Sequence, residues 1–96
     1  QGGDPRGDGS GGPGYNLPPE FGTREHDIGT FGMARIKDSR NPERLSSGSQ
    51  FHILLARAPK MDNEYTIIGK VISGMKVVKK LRKDDRILDL IVYVRN

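Results

Sequence analysis

The chain has 96 residues, 33% of them hydrophobic, with no Trp and three each of Phe and Tyr, enough for one small domain with a thin core. No apolar run approaches the roughly 18 residues of a membrane span and no charged-then-apolar stretch opens the chain, so it reads as soluble, and the absence of Cys fits a reducing compartment, with the cytoplasm expected. Of the formal charge of +4, residues 1–45 contribute six basic and seven acidic side chains and residues 46–96 ten and five; the positive groups are spread over several elements with few aromatics between them, so nucleic-acid binding is not expected.

Residues 1–23 hold eight of the thirteen Gly and four of the six Pro, a density that predicts loop and no regular structure. Tyr15, Leu17 and Phe21 are spaced as anchors that could pin residues 1–28 as an ordered loop onto a core. Gly29 to Ile36, Gln50 to Ala56 and Thr66 to Ile72 are short β-prone runs separated by the turn-formers Asn41-Pro42, Ser46 to Ser49 and Asp62-Asn63, a pattern that predicts antiparallel strands. Ser73 is placed to cap a helix over Gly74 to Lys83, with Met75, Val78 and Leu81 inward and Lys76, Lys79, Lys80 and Lys83 outward. Asp84-Asp85-Arg86 breaks the pattern. Ile87 to Arg95 then reads as a last strand, apolar on both faces and so in want of cover on both.

Several motifs fail on their own terms. Gly7-Asp8-Gly9-Ser10-Gly11-Gly12 satisfies G-x-G-x-x-G, but no strand precedes it and Pro13-Gly14 stands where a phosphate-binding helix should begin. Asp4, Arg6 and Asp8 before Gly9 echo a calcium loop, with an arginine at a ligand position and Tyr15 where a glutamate should close it. Arg6-Gly7-Asp8 is a common adhesion-type tripeptide without supporting context. His26 and His52 lie in different elements without Cys or carboxylate at ligand spacing, so no metal or other cofactor is expected, and His26 is placed at the surface. With no nucleophile constellation, the chain must bind something or catalyse a step that needs none.

A set of segments in order carries a stronger signal: Gln1-Gly2-Gly3-Asp4-Pro5, Gly11-Gly12-Pro13-Gly14-Tyr15 with Glu20-Phe21, Gly32-Met33-Ala34, Gly48-Ser49-Gln50-Phe51, and Gly69-Lys70-Val71 with Gly74-Met75. Together they resemble cyclophilin-type peptidyl-prolyl isomerases, compact bacterial ones in particular, along essentially the whole chain. The resemblance implies a mainly β fold, an antiparallel barrel of eight strands closed at each end by a helix. It further implies that residues 1–96 are the C-terminal part of one such domain, the first strands, the first helix and the segment carrying the family's arginine and a pocket phenylalanine lying upstream of Gln1. A chain opening on Gln rather than Met agrees with that expectation.

Carried over by resemblance, Gln1 and Gln50 match glutamines that hydrogen-bond the substrate or position the arginine. Ala34 and Arg35 match the pair whose backbone grips the peptide, with Met33 before them. Arg35 stands where asparagine is common, a change of little consequence if the contact is made by backbone, and Ile36 falls where a small residue opens a side pocket. His52 takes the place of an aromatic, usually Phe, in the proline pocket, while Met61 and Tyr65 fit its apolar and aromatic positions. Phe51 adjoins them, although Met33, Phe51, Ile53 and Met75 read as core before they read as site. Lys60 replaces a large apolar residue tied to cyclosporin binding, which predicts weak binding of that drug.

The resemblance thus implies isomerisation of X-Pro bonds in peptides and unfolded proteins. The chain itself is expected to have little activity without the arginine, and to associate with the N-terminal part of the domain or with itself. A non-catalytic proline-peptide binding module is the alternative, prompted by His52 and the upstream arginine.

Overall fold

The structure, a computed structural model, describes residues 1–93. In chain order it runs through β1 (Asn16–Leu17), β2 (Thr30–Met33), a 3-10 turn at Asp38–Arg40, β3 (Ser46–Ser47), β4 (Phe51–Ile53), a 3-10 turn at Pro59–Met61, β5 (Ile67–Lys70) and α1 (Met75–Val78).

The three predicted inner runs do form strands, each shorter than its run. They make one antiparallel sheet in the order β4-β2-β5, with Phe31 opposite Ile53, Met33 opposite Phe51 and Thr30 opposite Lys70. The register shifts between Phe31 and Gly32 on the β5 side. Main-chain pairing outlasts the strands: Gly29 N–H donates to Leu54 C=O (2.8 Å), Val71 N–H to Gly29 C=O (2.8 Å) and Ala34 N–H to Gln50 C=O (3.0 Å). The sheets do not close into a barrel among the described residues.

The Gly/Pro-rich segment is more regular than its composition predicts. Asn16–Leu17 pairs with Ser46–Ser47 as a separate two-stranded sheet, and Gly2 exchanges two hydrogen bonds of 2.9 Å with Phe51 at the outer edge of β4. Two-residue strands of Asn, Leu and Ser carry no alternating pattern, so nothing in composition could announce them. Of the three expected anchors, Tyr15 and Leu17 are exposed and Phe21 is half-buried under the Arg44 guanidinium, 5.9 Å from its ring.

The C-terminal expectations need larger corrections. The helix is one turn, and it starts from Gly74 in the left-handed region (φ 89°) with no side-chain cap, so Ser73 does not cap it. Met75 and Val78 are half-buried, but Leu81 is exposed rather than inward. Residues 87–93 form no strand, and the end of that predicted element, Val94 and Arg95, lies outside the described residues. A strand exists only as a paired one; the β4 edge is already taken by Gly2, and Ile87 packs near that bridge instead, within 3.8 Å of where a Gly2 Cβ would stand.

The apolar core is as thin as expected, with Met33 and Ala34 its buried members among the described residues. Polar side chains complete the interior: His26, Thr30, Asn41, Ser46, Gln50 and Thr66 are all buried. Among the described residues no helix is long and apolar enough to cross a membrane.

Candidate functional site

An open groove of about 1010 Å³ runs between the Gly-rich segment and residues 34–47, with Gln1, Gly11, Ala34, Arg35, Ile36 and Gln50 in its walls. Polar groups hold the Gly-rich wall. The Asp4 carboxylate accepts N–H bonds from Arg6 (2.8 Å), Asp8 (2.9 Å) and Gly9, curling residues 4–11 around itself. Removal from water opposes ionisation at Asp4, but these donors together with the Gly11 amide outweigh it, and the carboxyl sits below its ordinary value.

Gln50 clasps the same wall from the sheet. It is 6% exposed, and its Nε2 donates to the carbonyls of Gly9 (3.0 Å) and Gly11 (2.6 Å) while its Oε1 accepts from Gln1 Nε2 (2.9 Å). Ser47 Oγ accepts its main-chain N–H at 2.8 Å. A buried amide demands such partners, and here both of its donor hydrogens are committed to the loop. What Gln50 can still offer a ligand is the remaining lone pair of Oε1.

On the facing wall the main chain divides sharply. Ala34 is fully used, its N–H on Gln50 and its C=O accepting from Ser47 N–H at 2.8 Å. The next residue differs: neither the N–H nor the C=O of Arg35 has a hydrogen-bond partner among the described residues. Ile36 follows, exposed along the groove. An extended peptide laid beside Arg35 would find one donor and one acceptor at strand spacing.

The second group is built around His52, two residues along the same strand from Gln50. Cross-strand pairing puts Phe31, Met33, Phe51 and Ile53 on one face, where the Phe31 and Phe51 rings stack at 4.9 Å, and puts His52 opposite Gly32 on the reverse. There the His52 ring meets Tyr65 edge-on at 5.9 Å and His26 at 6.5 Å, and His26 meets Tyr65 at 6.4 Å. Met61 ends the 3-10 turn, its C=O accepting the N–H of Glu64 (3.0 Å) and Tyr65 (3.2 Å), and so sets where Tyr65 starts. Burial first, and then the neighbouring His26, push the His52 imidazole below its ordinary value, leaving it neutral near pH 7.

His26 is not at the surface, where the sequence reading placed it; it is completely buried. Its N–H donates to Asp62 Oδ1 (2.7 Å), its Nδ1 lies 3.2 Å from the same oxygen, and its C=O accepts from Ala58 N–H (2.8 Å) and Arg57 Nη1 (3.1 Å). Arg57 also grips Asp62 through two bonds, of 3.2 and 2.9 Å, and holds that carboxyl well below the usual carboxylate range, with help from the His26 amide. These partners are 31 to 36 residues from His26, beyond the reach of any local sequence signal.

The expected site residues therefore fall into three sets: Gln1, Ala34, Arg35, Ile36 and Gln50 at the groove; His52, Met61 and Tyr65 around the aromatic cluster, joined by His26; and Met33 and Phe51 at the sheet's opposite face and strand end. The family model described as cyclophilin type peptidyl-prolyl cis-trans isomerase matches residues 1–92. A probable peptidyl-prolyl cis-trans isomerase of Brucella abortus is 45% identical over 76 residues, 78% of this chain and 36% of that protein. The isomerase of Synechococcus elongatus is 41% identical over 92 residues, 94% of this chain and 59% of that protein, and isomerase B of Bacillus subtilis 36% identical over 88 residues, 88% and 57%. The chain thus spans between 36% and 59% of the length of these relatives. With the family match running through the loop, all the strands and the helix, the chain belongs to the cyclophilin-type peptidyl-prolyl cis-trans isomerase family.

Proposed function

We propose that the chain supplies the peptide groove of an isomerase acting on X-Pro bonds in peptides and unfolded proteins. The observation that carries the reading is the unpaired main chain of Arg35 beside the groove. The residues before the proline extend against it, and the proline ring reaches His52, Tyr65 and Met61. No bond is made or broken: the trans preference of X-Pro is small, and the barrier of ~18–20 kcal/mol is lost amide resonance. Gripping both sides of the bond favours the twisted amide, whose nitrogen regains a lone pair that a hydrogen-bond donor can stabilise.

On this reading the donor is the arginine that the family carries upstream of the motif matched at Gln1, so the chain alone binds and turns over little. Gln1, bonded to Gln50 at the groove end, stands where that segment joins. The exposed apolar groups at Ile72, Leu88 and Val92 fit the same reading, as surface for the remaining strands to cover.

Exchange spectroscopy on a short X-Pro peptide tests this. Slow or no exchange with the chain alone and fast exchange after adding the upstream segment is the expected result. Failure of the peptide to bind overturns the reading, and binding without turnover in both cases replaces it with a non-catalytic proline-peptide module.

A further inference from the structure

Arg35 carries a buried charge whose task lies outside the main-chain contact assigned to that residue. Its side chain is 7% exposed, and a buried guanidinium is tolerated only when paired. Nη1 is bonded to Asp38, Nη2 lies 3.5 Å from Glu64, and the guanidinium carbon stands 4.6 Å from the centre of the Tyr65 ring. Arg44 reaches the same two carboxylates, Glu64 at 3.1 Å and Asp38 at 3.7 Å. Two guanidinium groups and two carboxylates thus alternate in a neutral ring that closes residues 35–44 onto the turn at 61–65.

Both ends of that ring touch the site. On one side is the segment that leaves the Arg35 N–H and C=O open to the groove. It has to be held, because Arg44 sits in the left-handed region (φ 55°), which a side chain with Cβ adopts at a cost. The buried Asn41 stitches the segment from within, its Nδ2 donating to Leu45 C=O (2.9 Å) and its Oδ1 accepting from Leu45 N–H (3.0 Å). On the other side is Tyr65, whose ring packs edge-on against His52 and His26. The guanidinium lies on the ring that forms the wall of the aromatic cluster.

We infer that the Arg35 side chain is a positioning residue that couples the peptide-gripping groove to the aromatic pocket, so that the residues before a proline and the proline ring are read by one rigid unit. The inference rests on the X-Pro reading above. It needs arginine specifically: a lysine is a point charge that cannot bridge Asp38 and Glu64 while also sitting over Tyr65. Charge alone would keep one ion pair and lose the alignment.

The test uses the whole chain with Arg35→Lys, Tyr65→Leu and the double variant, and Glu64→Gln as a milder break in the ring should Arg35→Lys fail to fold. Two quantities are read: the His52 and Tyr65 ring resonances without peptide, and the Kd of an X-Pro peptide. We expect Arg35→Lys to shift the His52 ring resonances through Tyr65 and to weaken the peptide roughly tenfold. In the Tyr65→Leu background the same change should do little, because the path is already cut. Unmoved His52 resonances, or fully additive losses in the double variant, overturn the inference. If the unaltered chain takes no peptide, the X-Pro reading fails while the resonances still decide the coupling.

Discussion

The imidazole of His52 lies against the backbone of Gly32, its cross-strand partner: a Cβ at position 32 would stand 2.7 Å from His52 Nε2 and 3.0 Å from the carbonyl oxygen of Thr66. Position 32 is therefore closed to any side chain while the His52 ring keeps its place. Gly32→Ala is expected to push the ring off the sheet, cost about 1–3 kcal/mol as an overpacked site, and weaken X-Pro peptide binding. Chemical denaturation and a peptide titration measure the two effects. Unchanged peptide affinity in a folded Gly32→Ala chain would separate His52 from the site.

The same nitrogen gives a second prediction of opposite sign. His52 Nε2 is buried with no hydrogen-bond partner among the described residues, an arrangement that costs about 1–3 kcal/mol. His52→Phe removes the orphan and restores the apolar ring, so both stability and affinity for a proline peptide should rise. A loss of both would mean that the imidazole makes a bond that matters in solution.

Gln50 tests what holds the groove open. Gln50→Glu keeps the size of the side chain but cannot donate to the Gly9 and Gly11 carbonyls that Gln50 now serves. We expect a loss of about 1–3 kcal/mol and faster amide hydrogen exchange through residues 4–11, while protection in β2 and β5 falls only with global stability. Equal protection in loop and strands would show that Asp4 alone suffices to hold the wall.

Much of this arrangement was legible in the chain and some was not, for physical reasons. β2, β4 and β5 follow from β-prone runs between turn-formers, because such residues make strands wherever a partner strand is near. Gln50 was legible as a match to the family's glutamines, but not that its amide would be held by the Gly9 and Gly11 carbonyls and by Gln1. The burial of His26 was not legible: its environment is made by Arg57 and Asp62, distant in sequence, and an imidazole alone says nothing of depth. The last strand misled because a β-prone run apolar on both faces at Ile87 to Tyr93 records what those residues would do when paired, and pairing is a property of the neighbours. Likewise the importance of the Arg35 side chain cannot be read locally, since Glu64 and Tyr65 reach it from across the fold.

Acid should destabilise the chain in two steps. The folded His52 imidazole binds its proton less readily than the ordinary 6.5, so as pH drops below that value the unfolded chain takes up a proton first and stability falls. The Asp62 carboxylate, held down by Arg57, contributes fully above about pH 4 and loses its contribution as pH falls further towards its folded value. Denaturation midpoints between pH 8 and pH 3 should show both limbs, the upper removed by His52→Phe and the lower by Asp62→Asn. A flat profile from pH 7 to 5 in the unaltered chain would contradict the first.

The C-terminal segment carries apolar side chains open to water. Ile72 is 96% exposed and Leu88 94%, with Leu90, Ile91, Val92 and Tyr93 exposed beyond them. So much exposed apolar chain seldom goes without a partner. The chain is therefore expected to associate with itself as concentration rises, through these residues rather than through the groove, and to exchange that contact for an added upstream segment of the domain. Ile72→Lys and Leu88→Lys remove the drive at little cost to the fold, since neither side chain is buried. Sedimentation should then show the variants as monomers at concentrations where the unaltered chain grows heavier, with X-Pro peptide binding intact. A monomer at every concentration in both would mean that this segment folds back on its own chain in solution.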